Sequence, residues 1–183
     1  VVAFLPAAVL GLLLDDWIES LFDDTVVAVA LIVGGIILIA IERRDHAGET
    51  ASIKEMSYKQ AVGIGLIQCL AMIPGTSRSG ATIIGGLLFG LSRKAAAEFT
   101  FFLAIPTLGA ATFYDLYKHR DLLNTNDIGM WAVGLIASFI SAFLVVRGLL
   151  RYISKHDFTI FAWYRIAAGL ALLALTATGI FQV

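Results

Sequence analysis

Apolar segments separated by short polar stretches make up most of the chain. A helix needs roughly 17–25 apolar residues to cross the hydrocarbon core of a bilayer. Four segments reach that length: residues 25–41, 95–117, 128–150 and 158–183. Residues 1–14 are also apolar, and we expect them to end a fifth crossing that begins before Val1. The pattern therefore predicts an all-α, polytopic membrane protein with five crossings, whose single transmembrane domain covers residues 1–183.

Residues 57–91 break this pattern. Two apolar flanks, 61–72 and 83–91, are each too short to cross a bilayer, and the polar, helix-breaking stretch 73–82 separates them. Irregular backbone at membrane depth is tolerated only where protein or a water-filled cavity surrounds it. We therefore expect a re-entrant hairpin, in which one half-helix enters, a polar turn follows, and a second half-helix returns to the same side.

The distribution of positive charge supports this hairpin. Lysine and arginine are concentrated in three polar stretches, namely 42–56, 92–94 and 147–155. Positively charged loops stay on the cytoplasmic side, so the stretches 15–24 and 115–127 are expected outside. The three basic stretches can all lie on the cytoplasmic side only if the hairpin begins and ends on that side of the membrane.

Arg165, about one turn inside the last helix, is interpreted as reaching the lipid headgroups with its long side chain.

Short-range signals specify several helix ends and one helix contact. Ser57 and Gln60 have the spacing of a capping box, which predicts the start of the first half-helix. Ser92 is suited to cap the helix that follows it. The pair Gly34-Gly35 lacks side chains and is expected to let another helix approach closely.

Composition agrees with a membrane protein and excludes other classes. The chain is 59% hydrophobic and 15% charged, with a mean hydropathy of +0.88, whereas soluble domains are about 25% charged. A net charge of −1 without a basic cluster gives no indication of nucleic-acid binding. The single cysteine, Cys69, excludes an intrachain disulfide, and no cluster of metal ligands is visible in the sequence.

The polar turn has the chemistry of an anion site. Pro74 and Gly75 are expected to end the first half-helix, because proline lacks the backbone donor. Three hydroxyl side chains suited to capping the second half-helix follow: Thr76, Ser77 and Ser79. The positive dipole end and free N–H groups of that helix favour a phosphate. Arg78 adds a planar guanidinium that can hold phosphate oxygens in pairs, and an arginine in a membrane segment is functional by default.

Other interpretations of the turn stay open at this point. Arg78 could instead reach the membrane surface or pair with a buried carboxylate, and residues 86–90 could be a helix-packing face of a scaffold. Half-helices that meet at mid-membrane are also typical of transporters. A lipid-phosphate flippase or anion carrier would use Arg78 without chemistry, so phosphate release and substrate translocation distinguish the two classes.

Residues 68–82 closely resemble the second signature motif of bacterial undecaprenyl-diphosphate phosphatases, the bacitracin-resistance type. Further similarity appears at residues 6–13, 90–93, 97–99 and 104–117, so the resemblance is spread over nearly the whole chain. The resemblance implies a hydrolase of the bacterial inner membrane that removes one phosphate from undecaprenyl diphosphate for cell-wall synthesis. It also implies an inverted-repeat fold, in which each half contributes a re-entrant helix pair to one site that opens outward.

By motif position, the resemblance assigns Arg78 and Ser77 to catalysis. Because no base in this chain would activate Ser77 as a nucleophile, we favour it as a phosphate-binding hydroxyl. The resemblance assigns six further residues to substrate binding: Gly75, Thr76, Ser79, Gly80, Thr82 and Gln68. The expected partners are undecaprenyl diphosphate, membrane lipid and a second copy of the chain in a homo-oligomer.

One departure from the family pattern matters. The first family motif, a Glu-x-x-x-Glu pair followed by Pro-x-Ser-Ser-x-Gly-His, is missing, and residues 4–9 match only its Pro. In the family those glutamates would bind a divalent cation or act as acid and base. We therefore expect that the chain is the C-terminal portion of a longer member, that a divalent cation would be held by residues absent from it, and that alone it turns over poorly.

Overall fold

A computed structural model of the chain describes residues 2–44, 50–120 and 128–178. Within those ranges the secondary structure consists of helices, with a single isolated bridge between Thr50 and Leu91. The α-helices are α1 (Leu5–Leu13), α2 (Asp15–Glu19), α3 (Asp24–Glu42), α4 (Tyr58–Gln68), α5 (Arg78–Leu88), α6 (Arg93–Lys118), α7 (Ile128–Ile153) and α8 (Thr159–Ala177). Two short 3-10 helices cover Ile53–Glu55 and Cys69–Met72.

The predicted class, an all-α polytopic membrane protein, is confirmed. In the described part of the chain, four helices are long and apolar enough to cross a membrane: α3, α6, α7 and α8. Helix α1 has nine residues, which span only about 14 Å at 1.5 Å per residue, less than the hydrocarbon core. The count of five crossings therefore stays a prediction. The predicted loops 42–56 and 115–127 lie partly outside the described residues.

Helices α3 and α8 form a close pair because glycines remove side chains from their interface. A Cβ atom added to Gly35 would lie 2.7 Å from Ile166 Cγ1, and one added to Gly169 would lie 2.7 Å from the Ala28 carbonyl oxygen. Backbones that approach this closely gain packing contacts without a hydrophobic driving force, as membrane helices require. The close contact predicted at Gly34-Gly35 is confirmed.

Helices α4 and α5 form the predicted hairpin. At its open end, Gln60 Nε2 donates to the Phe89 carbonyl oxygen at 2.8 Å and to Thr50 Oγ1 at 3.0 Å. The start of α4 and the end of α5 therefore lie side by side. Gln60 also completes the predicted capping box with Ser57, and Ser92 caps α6 as expected, accepting from Ala95 N.

The closed end of the hairpin differs in detail from the expectation. Helix α4 ends at Gln68 and continues as the 3-10 helix Cys69–Met72, so the change of helix type begins before Pro74. Gly75 has a φ of 85°, and a Cβ atom there would lie 2.8 Å from Val27 Cα on α3. Only glycine fits both the backbone angle and the space. Its missing side chain therefore lets the turn pack directly against α3.

An ion pair with a buried carboxylate connects three helices at the opposite end of the fold. Arg93, the first residue of α6, donates to Glu42 Oε2 at the end of α3, from Nη2 at 2.6 Å and from Nε at 2.8 Å. Glu42 Oε1 accepts from the backbone N–H of Phe158, beside the start of α8, at 3.1 Å. The Glu42 side chain is 2% exposed. One carboxylate thus connects the ends of α3, α6 and α8.

We predict that Glu42→Ala lowers the free energy of unfolding by about 2 kcal/mol, because it leaves the Arg93 guanidinium and the Phe158 N–H without an acceptor. Partial exposure of Arg93 keeps the cost below that of a fully buried pair. Unfolding in mixed detergent micelles measures the change. Glu98→Ala is the matched control, since the Glu98 carboxylate lies 3.9 Å from Lys94 Nζ and such a pair is worth less than about 1 kcal/mol. Equal losses in the two variants would contradict the role of Glu42.

Candidate active site

Ser77 has an unusual backbone conformation at the tip of the hairpin. Its φ is 66° and its ψ is 113°, and among the described residues it is the one non-glycine with positive φ. Such a conformation costs on the order of 1–3 kcal/mol and persists where the surroundings impose it. As the N-cap of α5, Ser77 accepts from Gly80 N through Oγ at 3.2 Å, and its Oγ also lies 3.2 Å from Ser79 Oγ.

Arg165 of α8 holds the backbone that precedes Ser77. Its Nη2 donates to the carbonyl oxygens of Thr76 at 2.7 Å and Gly75 at 3.1 Å, and it lies 3.4 Å from the Ala30 carbonyl oxygen on α3. The residue is 8% exposed. The interpretation that Arg165 reaches the lipid headgroups is therefore wrong. The turn carbonyls lie outside any helix and need a donor within the protein, and the guanidinium is that donor.

Arg78 and Gln68 line a cavity of about 460 Å³ on one side of the turn. Gln68 is 3% exposed, and neither its Nε2 nor its Oε1 has a hydrogen-bond partner among the described residues. The Nη1 atom of Arg78 is also buried and without a partner there. Leaving such polar groups unsatisfied costs about 1–3 kcal/mol each, so the site is suited to a polar ligand or to water.

The rest of this cavity is mainly apolar. Helix α1 contributes Ala7, Ala8 and Gly11, and α6 contributes Ala110 and Ala111. Besides Gln68 and Arg78, the lining has two hydroxyl residues, Thr107 and Tyr114, and its other residues are apolar. That combination fits a ligand with an anionic head and a hydrocarbon chain.

The hydroxyl residues of the turn lie elsewhere. Ser77 and Ser79 line a smaller cavity of about 200 Å³, shared with Gly80, Tyr164 and Arg165. The structure thus brings Arg78 together with Gln68, and the two serines together with Gly80, on different sides of the same turn. Gly75 and Thr76 contribute the carbonyl groups that Arg165 binds.

Thr82 lines neither of these two cavities. It is 1% exposed, and its Oγ1 lies 3.0 Å from the Arg78 carbonyl oxygen and 2.8 Å from Thr100 Oγ1 on α6. Thr100 Oγ1 in turn donates to the Ala96 carbonyl oxygen at 2.9 Å. In this structure the Thr82 hydroxyl joins α5 to α6, and its predicted part in substrate binding stays a prediction.

The electrostatics of the turn favour an anion. The N-terminus of α5 carries the positive end of the helix dipole, and two guanidinium groups, Arg78 and Arg165, lie beside it. Among the described residues, no ion pair joins either arginine to a carboxylate. Arginine matches phosphate oxygens in a bidentate geometry, so the arrangement can bind and neutralise a phosphate group.

The residues around the turn do not fit a divalent cation. Hard cations prefer carboxylate oxygens, but the larger cavity is faced by a guanidinium and an amide and has no Asp or Glu in its lining. Among the described residues, no group of three or more His, Cys, Asp or Glu is placed to hold a metal ion.

Arg165 is the residue of this site that the sequence analysis did not identify. The signal that singled out Arg78, an arginine within an apolar membrane segment, applies equally to Arg165. It lies 90 residues from Gly75 along the chain, and sequence spacing gives no indication of that contact.

Comparisons with known proteins show the family of this chain. The family model described as bacitracin resistance protein BacA matches residues 1–171. A protein of Nitrosomonas europaea named undecaprenyl-diphosphatase is 61% identical over 180 residues, which cover 98% of this chain and 66% of that protein. Relatives of the same name from Nitrosospira multiformis and Nitrosomonas eutropha are 58% and 62% identical, with 99% and 96% of this chain and 67% and 64% of the relatives covered. The chain therefore spans about two thirds of the length of these relatives. From the family match and these identities, the chain belongs to the bacitracin resistance protein BacA family.

Proposed function

We propose that the chain is the larger part of an undecaprenyl-diphosphate phosphatase, which hydrolyses the prenyl diphosphate carrier to the monophosphate. Membership of the family and relatives named undecaprenyl-diphosphatase support this proposal. The observation that carries it is the buried Arg78 Nη1 atom, which lacks a partner among the described residues and lines the apolar-walled cavity with Gln68. A diphosphate head would meet Arg78 and Gln68, and a prenyl chain would contact the apolar residues of the lining.

The reaction breaks a phosphoanhydride bond. The oxygen of a water molecule forms a bond to the terminal phosphorus, and the bond from that phosphorus to the bridging oxygen breaks. Inorganic phosphate and the lipid monophosphate are then released. Negative charge is spread over the oxygens of the transferred group. Arg78, beside the positive end of α5, neutralises that charge, and preorganised donors of this kind supply much of the rate enhancement.

Ser77 is proposed as a phosphate-binding hydroxyl, which would approach the phosphate from the smaller cavity, on the other side of the turn from Arg78. Ser77 Oγ forms hydrogen bonds only with Gly80 N and Ser79 Oγ among the described residues, and neither group is a base that could activate it as a nucleophile. The base, and the ligands of any divalent cation, would then come from the third of the family's length that this chain does not cover. A cation there would add charge neutralisation at the phosphate.

The proposed location is the bacterial inner membrane, with a site that opens toward the outer face. Arg93 and Lys155 lie at the end of the fold that holds the open end of the hairpin, away from the turn at 73–77. Positively charged ends stay in the cytoplasm, which directs the turn toward the outer half of the membrane.

We predict that Arg78→Ala reduces phosphate release by about 100-fold or more, because the charge on the transferred group loses its main partner. The protein for this test is a chimera that joins this chain to the part of the Nitrosomonas europaea relative that it does not cover. Arg78→Lys should also release phosphate much more slowly, since a lysine cannot hold two phosphate oxygens with a planar guanidinium. Phosphate release from undecaprenyl diphosphate in detergent is the measurement.

Arg147→Ala is the matched control, because Arg147 is exposed on α7; its activity should equal that of the parent chimera. An Arg78→Ala chimera that keeps more than half the activity would contradict the assigned role. Movement of the lipid across a bilayer without phosphate release would instead favour a flippase.

The chain alone should give no steady phosphate release from the same substrate, because the described residues place no base at the turn. The purified 183-residue chain is compared with the chimera at equal concentration. Multiple turnovers by the chain alone would show that it holds a complete catalytic site.

A further inference from the structure

We propose that Arg165 is a positioning residue for this site: it fixes the peptide groups around Thr76, which keeps Ser77 at positive φ and directs Arg78 into the larger cavity. The assignment of a role in catalysis rests on the proposed function. The assignment of a role in holding the turn rests on geometry alone.

The two short hydrogen bonds act on consecutive peptide groups. The Gly75 carbonyl belongs to the peptide that enters Thr76, and the Thr76 carbonyl belongs to the peptide that enters Ser77. Arg165 Nη2 donates to both, at 3.1 Å and 2.7 Å. The orientation of the second peptide group sets the φ of Ser77. Arg165 therefore supports the conformation that Ser77, as an L-residue, would otherwise rarely adopt.

The space around the guanidinium is formed by two glycines on different helices. A Cβ atom added to Gly34 on α3 would lie 2.9 Å from Arg165 Cζ and closer still to Nη2. A Cβ atom added to Gly80, in the first turn of α5, would collide with Nη1. Any other residue at either position would displace the guanidinium. The space for Arg165 is thus a second observation, independent of its hydrogen bonds.

Arg165 acts through the turn and does not contact the larger cavity. It lines the smaller cavity with Ser77 and Ser79, whereas Arg78 and Gln68 line the larger one. A lysine at 165 would keep a charge, but its ammonium lies one bond nearer the backbone than Nη2, the atom that donates to both carbonyls, and it lacks the rigid planar group that holds Nη2 in place. The expected order of turn stability is therefore arginine, then lysine, then an apolar residue.

Amide hydrogen exchange of the detergent-solubilised chain tests the structural part directly. Arg165→Met should speed exchange of the backbone at 73–82 by about tenfold or more, because hydrogen bonds to a charged donor are lost, and Arg165→Lys should give an intermediate rate. Arg147→Met, on the exposed face of α7, should leave these amides unchanged. Exchange in the turn within twofold of the parent in Arg165→Met overturns the proposal.

A second variant disturbs the contact between Arg165 and the turn without changing the arginine itself. Gly34→Ala places a methyl group against the guanidinium, although alanine is otherwise better than glycine in a helix. It should therefore speed exchange at 73–82 as Arg165→Met does. Gly134→Ala on α7, where a Cβ atom meets nothing within 4 Å, is its control. If Arg165→Met does not fold, normal exchange of the turn in Gly34→Ala overturns the proposal.

Kinetics of the chimera test the catalytic part. Arg165→Met should lower kcat by about tenfold or more and change KM by less than about threefold, because Arg78 still meets the phosphate but is no longer aligned. Arg165→Lys should recover part of kcat. An unchanged kcat, with faster exchange in the turn, would refute the role in catalysis. If the parent chimera releases no phosphate, the proposed function fails, and the exchange experiment still decides whether Arg165 holds the turn.

Discussion

The hydrogen bonds from Arg165 to the carbonyl oxygens of Gly75 and Thr76 are the contact on which the rest of the site depends. A chain that reverses direction within an apolar region leaves backbone groups without helical partners, and lipid offers them none. The guanidinium supplies donors at that point, and the glycines of α3 and α5 leave room for it. The break between α4 and α5 can then exist within the membrane, and the start of α5, with its free N–H groups, is suited to an anion.

Arginine serves different purposes at the two ends of the fold. Arg93 is paired with the buried Glu42 carboxylate, so its charge is neutralised and the pair holds helix ends together. Arg78, in contrast, has a buried nitrogen without a partner among the described residues. An unsatisfied charged donor weakens the fold unless a ligand completes it. The cost is consistent with a site that binds an anion. The turn that carries Arg78 is held by a second arginine, Arg165.

Local signals in the sequence predicted much of this structure. The hairpin followed from two short apolar flanks around 73–82, and the capping box at Ser57 and the close contact at Gly34-Gly35 followed from neighbouring residue types. Contacts between distant residues could not be predicted in this way. The Glu42–Arg93 pair and the Thr82–Thr100 contact join residues 51 and 18 positions apart, and Arg165 was misinterpreted because its acceptors are backbone carbonyls. These carry no side-chain signature in the sequence.

The distance between spin labels at Tyr58 and Leu88, in a Cys69→Ala background, tests the reversal of the chain most directly. Both side chains are exposed, by 82% and 50%, and they lie at the open end of the hairpin. The structure predicts a distance below about 25 Å, whereas an unbroken helix through the same residues would separate them by roughly 45 Å at 1.5 Å per residue. A distribution centred near the longer value would contradict the hairpin and, with it, the site that the turn forms.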